Sequence, residues 1–329
     1  MSRFGPQPFA LLTPDTVLDA LDAADLVPDA RLFALNSYEN RVYQAGTADG
    51  WCVLKFYRPE RWSDAQILEE HAFAQELAAA ELPVVAPLAV RGRTLLRHAG
   101  FRYTVFPWCA GRPFDPDQPD ILLRLGRLLA RVHLLGQRLP FRTRGTLSAA
   151  SRGRTPRDIV LDTGLLPADL AAGYVRLTDE LLSRIAAEFA ALAPLATLRL
   201  HGDCHLGNLL LRDEIPTFVD LDDCLQGPAM QDLWMLLGGE VGEQRTNLER
   251  LLAGYEEFRP FDYRELRLIE PLRTLRIIHH AGWIAQRWQD PAFPRAFPNF
   301  AEPRFWETHL QELREQLGLL DDPPLFRMG

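Results

Sequence analysis

The apolar and polar positions change texture along the chain. In the first third, short runs alternate with period two around one good helix; after that, helical periodicity dominates. Thr13-Pro14 pairs a capping residue with proline at the first helical position and predicts a helix through about Ala24. Arg31–Leu35 and Arg41–Ala45 read as strands joined by the polar turn Asn36–Asn40. Trp51–Tyr57 is the next strand. Its alternate residues Trp51, Val53, Lys55 and Tyr57 share a face, and Lys55 is the one charge among them. Ser63 with Gln66 forms a capping-box pattern and predicts a helix to about Ala80, ended by Leu82-Pro83. Strand-like runs follow at Val84–Val90, Thr94–Arg97 and Arg102–Phe106. Pro107, Gly111 and Pro113 mark a linker near Phe106–Pro113, before a long helix from Gln118. Arg138–Arg157 reads as a solvated loop, with docking of an acidic or phosphorylated partner as the sharper reading. From Met230 onward the pattern is one of amphipathic helices, and His279 and His280 on one of them read as structural or surface residues. The expectation is an α+β chain in two lobes, a small strand-rich one over 1–106 and a larger helical one over 107–329.

Composition narrows the chemistry. With 329 residues, two lobes are the default, and 47% apolar residues suffice for two cores. Lys and Arg number 36 against 44 Asp and Glu, a net charge of −8, so nucleic acid and membrane surfaces are poor partners. Four scattered cysteines make no disulfide framework and fit a reducing compartment. The first twelve residues lack the cationic and apolar regions of a leader, and the apolar stretch Ile121–Leu135 is broken by three arginines. A cytoplasmic protein is expected, with nothing that demands more than a monomer.

The chemistry concentrates in Leu200–Leu211 and Thr217–Asp223, where acids sit beside short apolar runs. Phosphoryl transfer requires positioning and cations that neutralise phosphate charge rather than covalent work. Asp203 and Asn208 have the D-x-x-x-x-N spacing of a kinase catalytic loop, and Asp220, twelve residues on, stands where the second metal ligand belongs. A carboxylate and an amide oxygen are hard ligands suited to Mg²⁺. Lys55 can reach the phosphates of ATP, with a glutamate on the next helix as its partner. Glu70, which shares a helix face with Phe73 and Leu77, is preferred to Glu69.

H-G-D-x-H-x-x-N followed by V-D-L-D-D resembles the aminoglycoside phosphotransferase and choline kinase superfamily. SYENRVYQ (37–44), VLKFYRPERW (53–62), ILEEH (67–71), LRLHGDCHLGN (198–208), FVDLDD (218–223), GPAMQDLWMLL (227–237) and DPAFP (290–294) resemble the bacterial stress response kinase A family over nearly the whole chain. The resemblance implies a two-lobed protein-kinase-like fold and a cytoplasmic Ser/Thr protein kinase of bacterial stress response. It implies proton acceptance at Asp203, Mg²⁺ ligands at Asn208 and Asp220, and ATP contacts near Ser37 and at Lys55. His201 is then structural, Asp232 braces the catalytic loop, and Asp222 is an auxiliary metal group ranked below Asp220.

Departures from ordinary protein kinases also stand out. No G-x-G-x-x-G, D-F-G or A-P-E is present, and Cys224–Ala229 leaves no room for a long activation loop. The first alternative keeps the site and changes the acceptor to a small hydroxyl compound such as an amino alcohol or aminoglycoside. A metallohydrolase built on His201, Asp203 and His205 leaves Lys55, Glu70 and Asn208 without roles, and a non-catalytic nucleotide-binding module leaves Asp203 without one. Cys204 and Cys224, beside the acids, read as small, partly buried residues.

Overall fold

The computed structural model describes residues 7–118 and 120–322. Residues 1–6 and 323–329, the outer ends of the two expected lobes, and Pro119 in the helix expected from Gln118 lie outside the described residues. So does half of the leading stretch read as free of a leader.

In chain order the elements are α1 (Pro14–Asp22), β1 (Pro28–Leu35), β2 (Arg41–Thr47), β3 (Gly50–Phe56), α2 (Asp64–Ala79), β4 (Leu96–His98), β5 (Phe101–Pro107) and β6 (Arg112–Pro113). There follow α3 (Ile121–Gly136), a π-helical turn (Ala150–Arg154), α4 (Thr155–Thr163), α5 (Ala168–Ala191), β7 (Leu198–Leu200), β8 (Leu209–Arg212), β9 (Ile215–Phe218) and β10 (Leu225–Gly227). The rest is helical: α6 (Met230–Leu233), α7 (Val241–Tyr255), α8 (Ile269–Gln286), α9 (Ala292–Ala296) and α10 (Pro303–Leu319). The chain divides into two compact units. One runs up to Phe114 and includes Arg142–Arg144 and Gly207–Asp222; the other holds Asp115–Phe141, Gly145–Leu206 and the chain from Asp223.

The first unit is built on an antiparallel sheet in the order β1-β2-β3-β5-β4. Thr13 caps α1, its hydroxyl accepting the Thr16 N–H at 3.2 Å. Val17, Ala20 and Leu21 of α1 pack with Leu54, Phe56, Tyr103 and Val105 in a buried core. The opposite sheet face carries Lys55, Tyr57 and Thr104, and α2 lies against it: the Tyr57 hydroxyl meets His71 Nε2 at 2.8 Å. The capping box at Ser63 and Gln66 is formed in both directions. Val84–Val90, expected as a strand, makes only isolated bridges, Val84 with Phe218 and Val90 with Arg93. Pro87 interrupts the run and has no N–H to give a ladder. Arg112 and Pro113, within the expected linker, instead form β6, paired with β8 in a small sheet completed by β9. That sheet keeps Gly207–Asp222 in this unit.

The second unit is helical apart from the β7–β10 pair. Helices α3 and α7 cross there at close range. A Cβ at Gly126 would lie 2.0 Å from the Leu251 carbonyl oxygen, and one at Gly254 2.0 Å from that of Leu123. Reciprocal glycines let the two backbones meet. The Arg138–Arg157 stretch is the expected solvated loop only in part: Arg138, Arg142 and Arg154 are exposed, but Arg144 and Arg157 are buried, and the π-helical turn runs straight into α4. Arg157 is held there by its neighbour Asp158 (2.8 Å) and by Asp179 (2.5 Å), twenty-two residues on. Among the described residues, no helix is long and apolar enough to cross a membrane.

The helix crossing gives a direct test. Gly254→Val puts a side chain where Leu123 backbone stands, and overpacking of this kind costs about 1–3 kcal/mol or more. A lowered urea midpoint with Gly242→Val, where nothing lies within 4 Å, as the control is expected; equal midpoints would mean that the crossing relaxes freely.

Candidate active site

In the first unit, chemistry gathers around Lys55. The ammonium is buried on β3 and meets three carboxylates: Asp220 at 2.8 Å, Asp222 at 3.0 Å and Glu70 at 3.5 Å. Burial alone would lower its pKa, but Asp220, Asp222 and Glu70 reverse the direction and hold it well above the usual lysine value. Burial raises Glu70 to about 7, with Lys55 opposing and Asp222 assisting. His71, which meets the Tyr57 hydroxyl, is kept neutral first by burial and then by Lys55 and Arg144, at about 3.

The two adjacent glutamates of α2 have different tasks. Glu70 faces Lys55, whereas Glu69 accepts the backbone N–H groups of Arg142 (2.5 Å), Thr143 (2.8 Å) and Arg144 (2.9 Å). This anchors Arg144, whose buried guanidinium binds Glu70 (3.0 Å), the Gln66 carbonyl (2.9 Å) and the Asp222 carbonyl (2.6 Å). The Trp62 ring lies 4.5 Å away. One arginine therefore fixes the lysine's partner and the acidic segment at once.

Asp220 and Asp222 share a segment but not an environment. Asp220 is 53% exposed and takes a left-handed backbone (φ 57), which aspartate tolerates better than most residues. Asp222 is buried and held by Lys55, by Arg61 and by the Asn40 amide at 3.2 Å. The Asn208 carbonyl accepts the Val219 N–H at 3.1 Å, which ties Asn208 to the residue before Asp220. Among the described residues, no group of three or more His, Cys, Asp or Glu is arranged to hold a metal ion. Asn208 and Asp220 instead offer one amide and one carboxylate oxygen, hard donors of the kind that Mg²⁺ takes together with phosphate oxygens and water. Ser37 lies in the β1–β2 turn, its hydroxyl donating to the Asn40 carbonyl at 2.9 Å.

In the second unit, Asp203 stands after Gly202, whose φ is +84 and where a Cβ would lie 2.3 Å from the Asp223 carbonyl oxygen, so only glycine fits this turn. Asp232 is fully buried and accepts the N–H groups of His201 and Gly202, each at 2.8 Å. His133 Nε2 lies 3.3 Å from the same carboxylate, and its Nδ1 lies 2.8 Å from the Tyr255 hydroxyl. Gln231 donates to the Gly202 carbonyl at 2.8 Å. His201 itself is buried. Asp203 is half-buried; its Oδ1 meets Arg276 and its Oδ2 lies 3.4 Å from His205 Nε2. Burial would raise its pKa, but His205 and Arg276 overcome that and hold the carboxyl well below the usual range.

Asn40, Arg61, Arg144 and Arg276 were not singled out by the sequence. Asn40 and Arg61 fall inside the stretches SYENRVYQ and VLKFYRPERW, so a signal existed for them. Arg144 and Arg276 had none: each finds its carboxylate across a separation of more than seventy residues.

Arg144→Met would leave buried Glu70 without one of its two cations, and breaking such a pair costs about 3–5 kcal/mol. Arg91→Met breaks the exposed pair with Asp25 and should cost under about 1 kcal/mol. Denaturant unfolding of both checks the ranking.

A profile of the phosphotransferase enzyme family matches residues 29–269. Over 318 residues, covering 96% of either chain, the sequence is 47% identical to the serine/threonine protein kinase RdoA of Salmonella typhimurium (strain LT2) and 46% identical to stress response kinase A of Escherichia coli (strain K12). Among solved structures, amicoumacin kinase in complex with AMP-PNP, Ca²⁺ and Ami aligns with a TM-score of 0.73 at 20% identity, covering 96% of this chain and 95% of that one. The microcompartment-associated aminopropanol kinase aligns at 0.69 and 20% identity, covering 92% and 98%. The fold is accordingly the α+β, protein-kinase-like one of these phosphotransferases, β-rich toward the N-terminus and helical toward the C-terminus. With its Lys55 cluster, its braced H-G-D-x-H-x-x-N loop and this likeness along nearly its whole length, the chain belongs to the phosphotransferase enzyme family and, within it, to the stress response kinase A family.

Proposed function

We propose that this enzyme transfers the γ-phosphate of ATP to serine or threonine hydroxyls of protein substrates in the bacterial cytoplasm, as part of a stress response. The observation that carries the reading is the buried Lys55 ammonium held by Glu70 and Asp222 while also touching the exposed Asp220. A lysine so fixed is a phosphate ligand with its charge secured, and the exposed acid beside it is the one able to reach a metal ion. The names of the relatives at 46–47% identity support the protein acceptor and the stress role. The four cysteines are free thiols, in keeping with a reducing compartment.

The residues have the following parts. Lys55 binds the α- and β-phosphates, and Glu70, fixed by Arg144, keeps it extended. Ser37 and its turn cover the phosphates without a glycine-rich loop. Asn208 and Asp220 supply oxygen donors for Mg²⁺, which when bound neutralises charge on the phosphates. Asp222 serves the lysine rather than the ion, because Lys55, Arg61 and Asn40 already occupy it. Asp203 orients the acceptor hydroxyl and takes its proton; His201 and Asp232 shape the loop that presents it. The first unit is the ATP-binding lobe, to which 1–106 contribute most, and the catalytic and acceptor functions fall to 107–329. Phosphotransferases of this fold also act on small hydroxyl compounds, as the amicoumacin and aminopropanol kinases are named for doing. Acceptor identity is therefore what the experiment must decide.

With ATP radiolabelled on its γ-phosphate and Mg²⁺, wild type should label a generic protein substrate or itself on Ser or Thr. Asp203→Ala should lose about 10²–10⁴-fold in turnover while still binding ATP. Asp220→Ala should weaken Mg·ATP binding itself, read by calorimetric titration. Label only on amino alcohols or aminoglycosides would move the acceptor to the small-molecule class; wild-type turnover in both variants would overturn the site.

A further inference from the structure

Around Asp203 the second unit gathers more cations than phosphoryl transfer uses. Arg276, on α8, meets Asp203, and His205 lies 3.4 Å from the other oxygen. Three residues further along α8, His279 Nε2 meets Arg152 at 2.8 Å, and Arg152 lies 3.9 Å from Asp223. His279 is neutral: burial first, then Arg152, Arg276 and Arg287 against Asp223, bring it to about 3. Burial and Arg276 likewise lower His280, with Asp203 opposing. Three guanidinium groups thus share one neighbourhood with two carboxylates, and each of those carboxylates faces an arginine.

Such a neighbourhood suits one class of acceptor. An ammonium-bearing acceptor needs a carboxylate or an aromatic face in exchange for its water. Here Asp203 and Asp223 already face arginines. The aromatic face at hand, Trp283, has Arg287 at 5.8 Å and the stacked His280 ring at 5.7 Å. An anionic acceptor meets the opposite situation: Arg276 is 44% exposed and presents a planar fork matched to a carboxylate.

We propose that the acceptor hydroxyl of this enzyme is flanked by a carboxylate, as in a serine or threonine next to aspartate or glutamate, and that Arg276 is the specificity residue that receives it. This rests on the protein-kinase reading and narrows it. It also couples recognition to chemistry. While Arg276 rests on Asp203, the catalytic carboxylate is a weak base; an acceptor carboxylate that draws Arg276 away removes the guanidinium charge from it and raises its proton affinity. Acceptor binding and base activation then become one event.

The test is a ratio of kcat/KM on two peptides that differ only in having Asp and Glu, or Asn and Gln, beside the acceptor serine. An amino alcohol panel runs alongside. Wild type should favour the acidic peptide by roughly tenfold or more, the worth of a hydrogen bond to a charged group. Arg276→Gln should bring the ratio to within about twofold of unity, whatever happens to the absolute rate, and Arg276→Lys should keep part of the preference. Equal use of both peptides by wild type, or a preference that survives in Arg276→Gln, would overturn the inference and leave the protein-kinase reading standing. Label on amino alcohols with neither peptide phosphorylated would overturn both.

Discussion

One buried charge organises the first unit of this protein. Taking the Lys55 ammonium out of water is expensive, and the expense is offset only where partners surround it closely. Glu70 from α2 and Asp220 and Asp222 from the segment after β9 do so, drawing distant parts of the chain to one point on β3. The sheet decides where that point lies: Cys52, Leu54 and Phe56 turn into the core with α1, so Lys55 must face α2. Once α2 lies against that face, His71 can be neutral and the second glutamate of the helix is free to anchor Arg142–Arg144.

Two further buried ions act on backbone rather than on substrate. Arg144 binds the Asp222 carbonyl in the first unit, and Asp232 binds the His201 and Gly202 N–H groups in the second. Each is a charge with several hydrogen-bond partners in a dry setting, so displacement would strand more than one polar group at a time. The acids to which the proposed function assigns chemistry, Asp203 and Asp220, are by contrast partly open to solvent. Arg144 and Asp232 thus fix segments while Asp203 and Asp220 stay open to solvent, and Lys55 is the buried charge to which the proposed function gives a ligand.

The environment of Asp203 adds a second layer. A carboxylate held low by the His205 hydrogen bond and the Arg276 guanidinium is well placed to orient a hydroxyl but slow to take its proton. Phosphoryl transfer rests mainly on positioning and electrostatics, and on the reading proposed above an acceptor carboxylate that draws Arg276 away would add proton affinity to the orientation that Asp203 already gives.

The sequence by itself determined a good deal. Local rules fixed the Thr13 cap, the Ser63–Gln66 capping box, the alternation that puts Lys55 on its own strand face, and the spacing from Asp203 to Asn208 to Asp220, because each depends on neighbours a few residues away. The two-texture pattern gave an α+β chain, and the motif stretches gave the family. What failed was equally physical. Val84–Val90 was apolar enough for a strand, but Pro87 denies it a ladder. Arg138–Arg157 looked solvated because arginine is solvated unless paired, and Glu70 lies more than seventy residues before Arg144. Strand pairing with Arg112 and Pro113 joins Gly207–Asp222 to the first unit, and the sheltering of Asp222 while Asp220 stays open and the arginine resting on Asp203 are set by carboxylate–cation contacts between residues far apart in the chain. Periodicity carries no record of such contacts; only the tertiary structure could decide which charges were to be buried together.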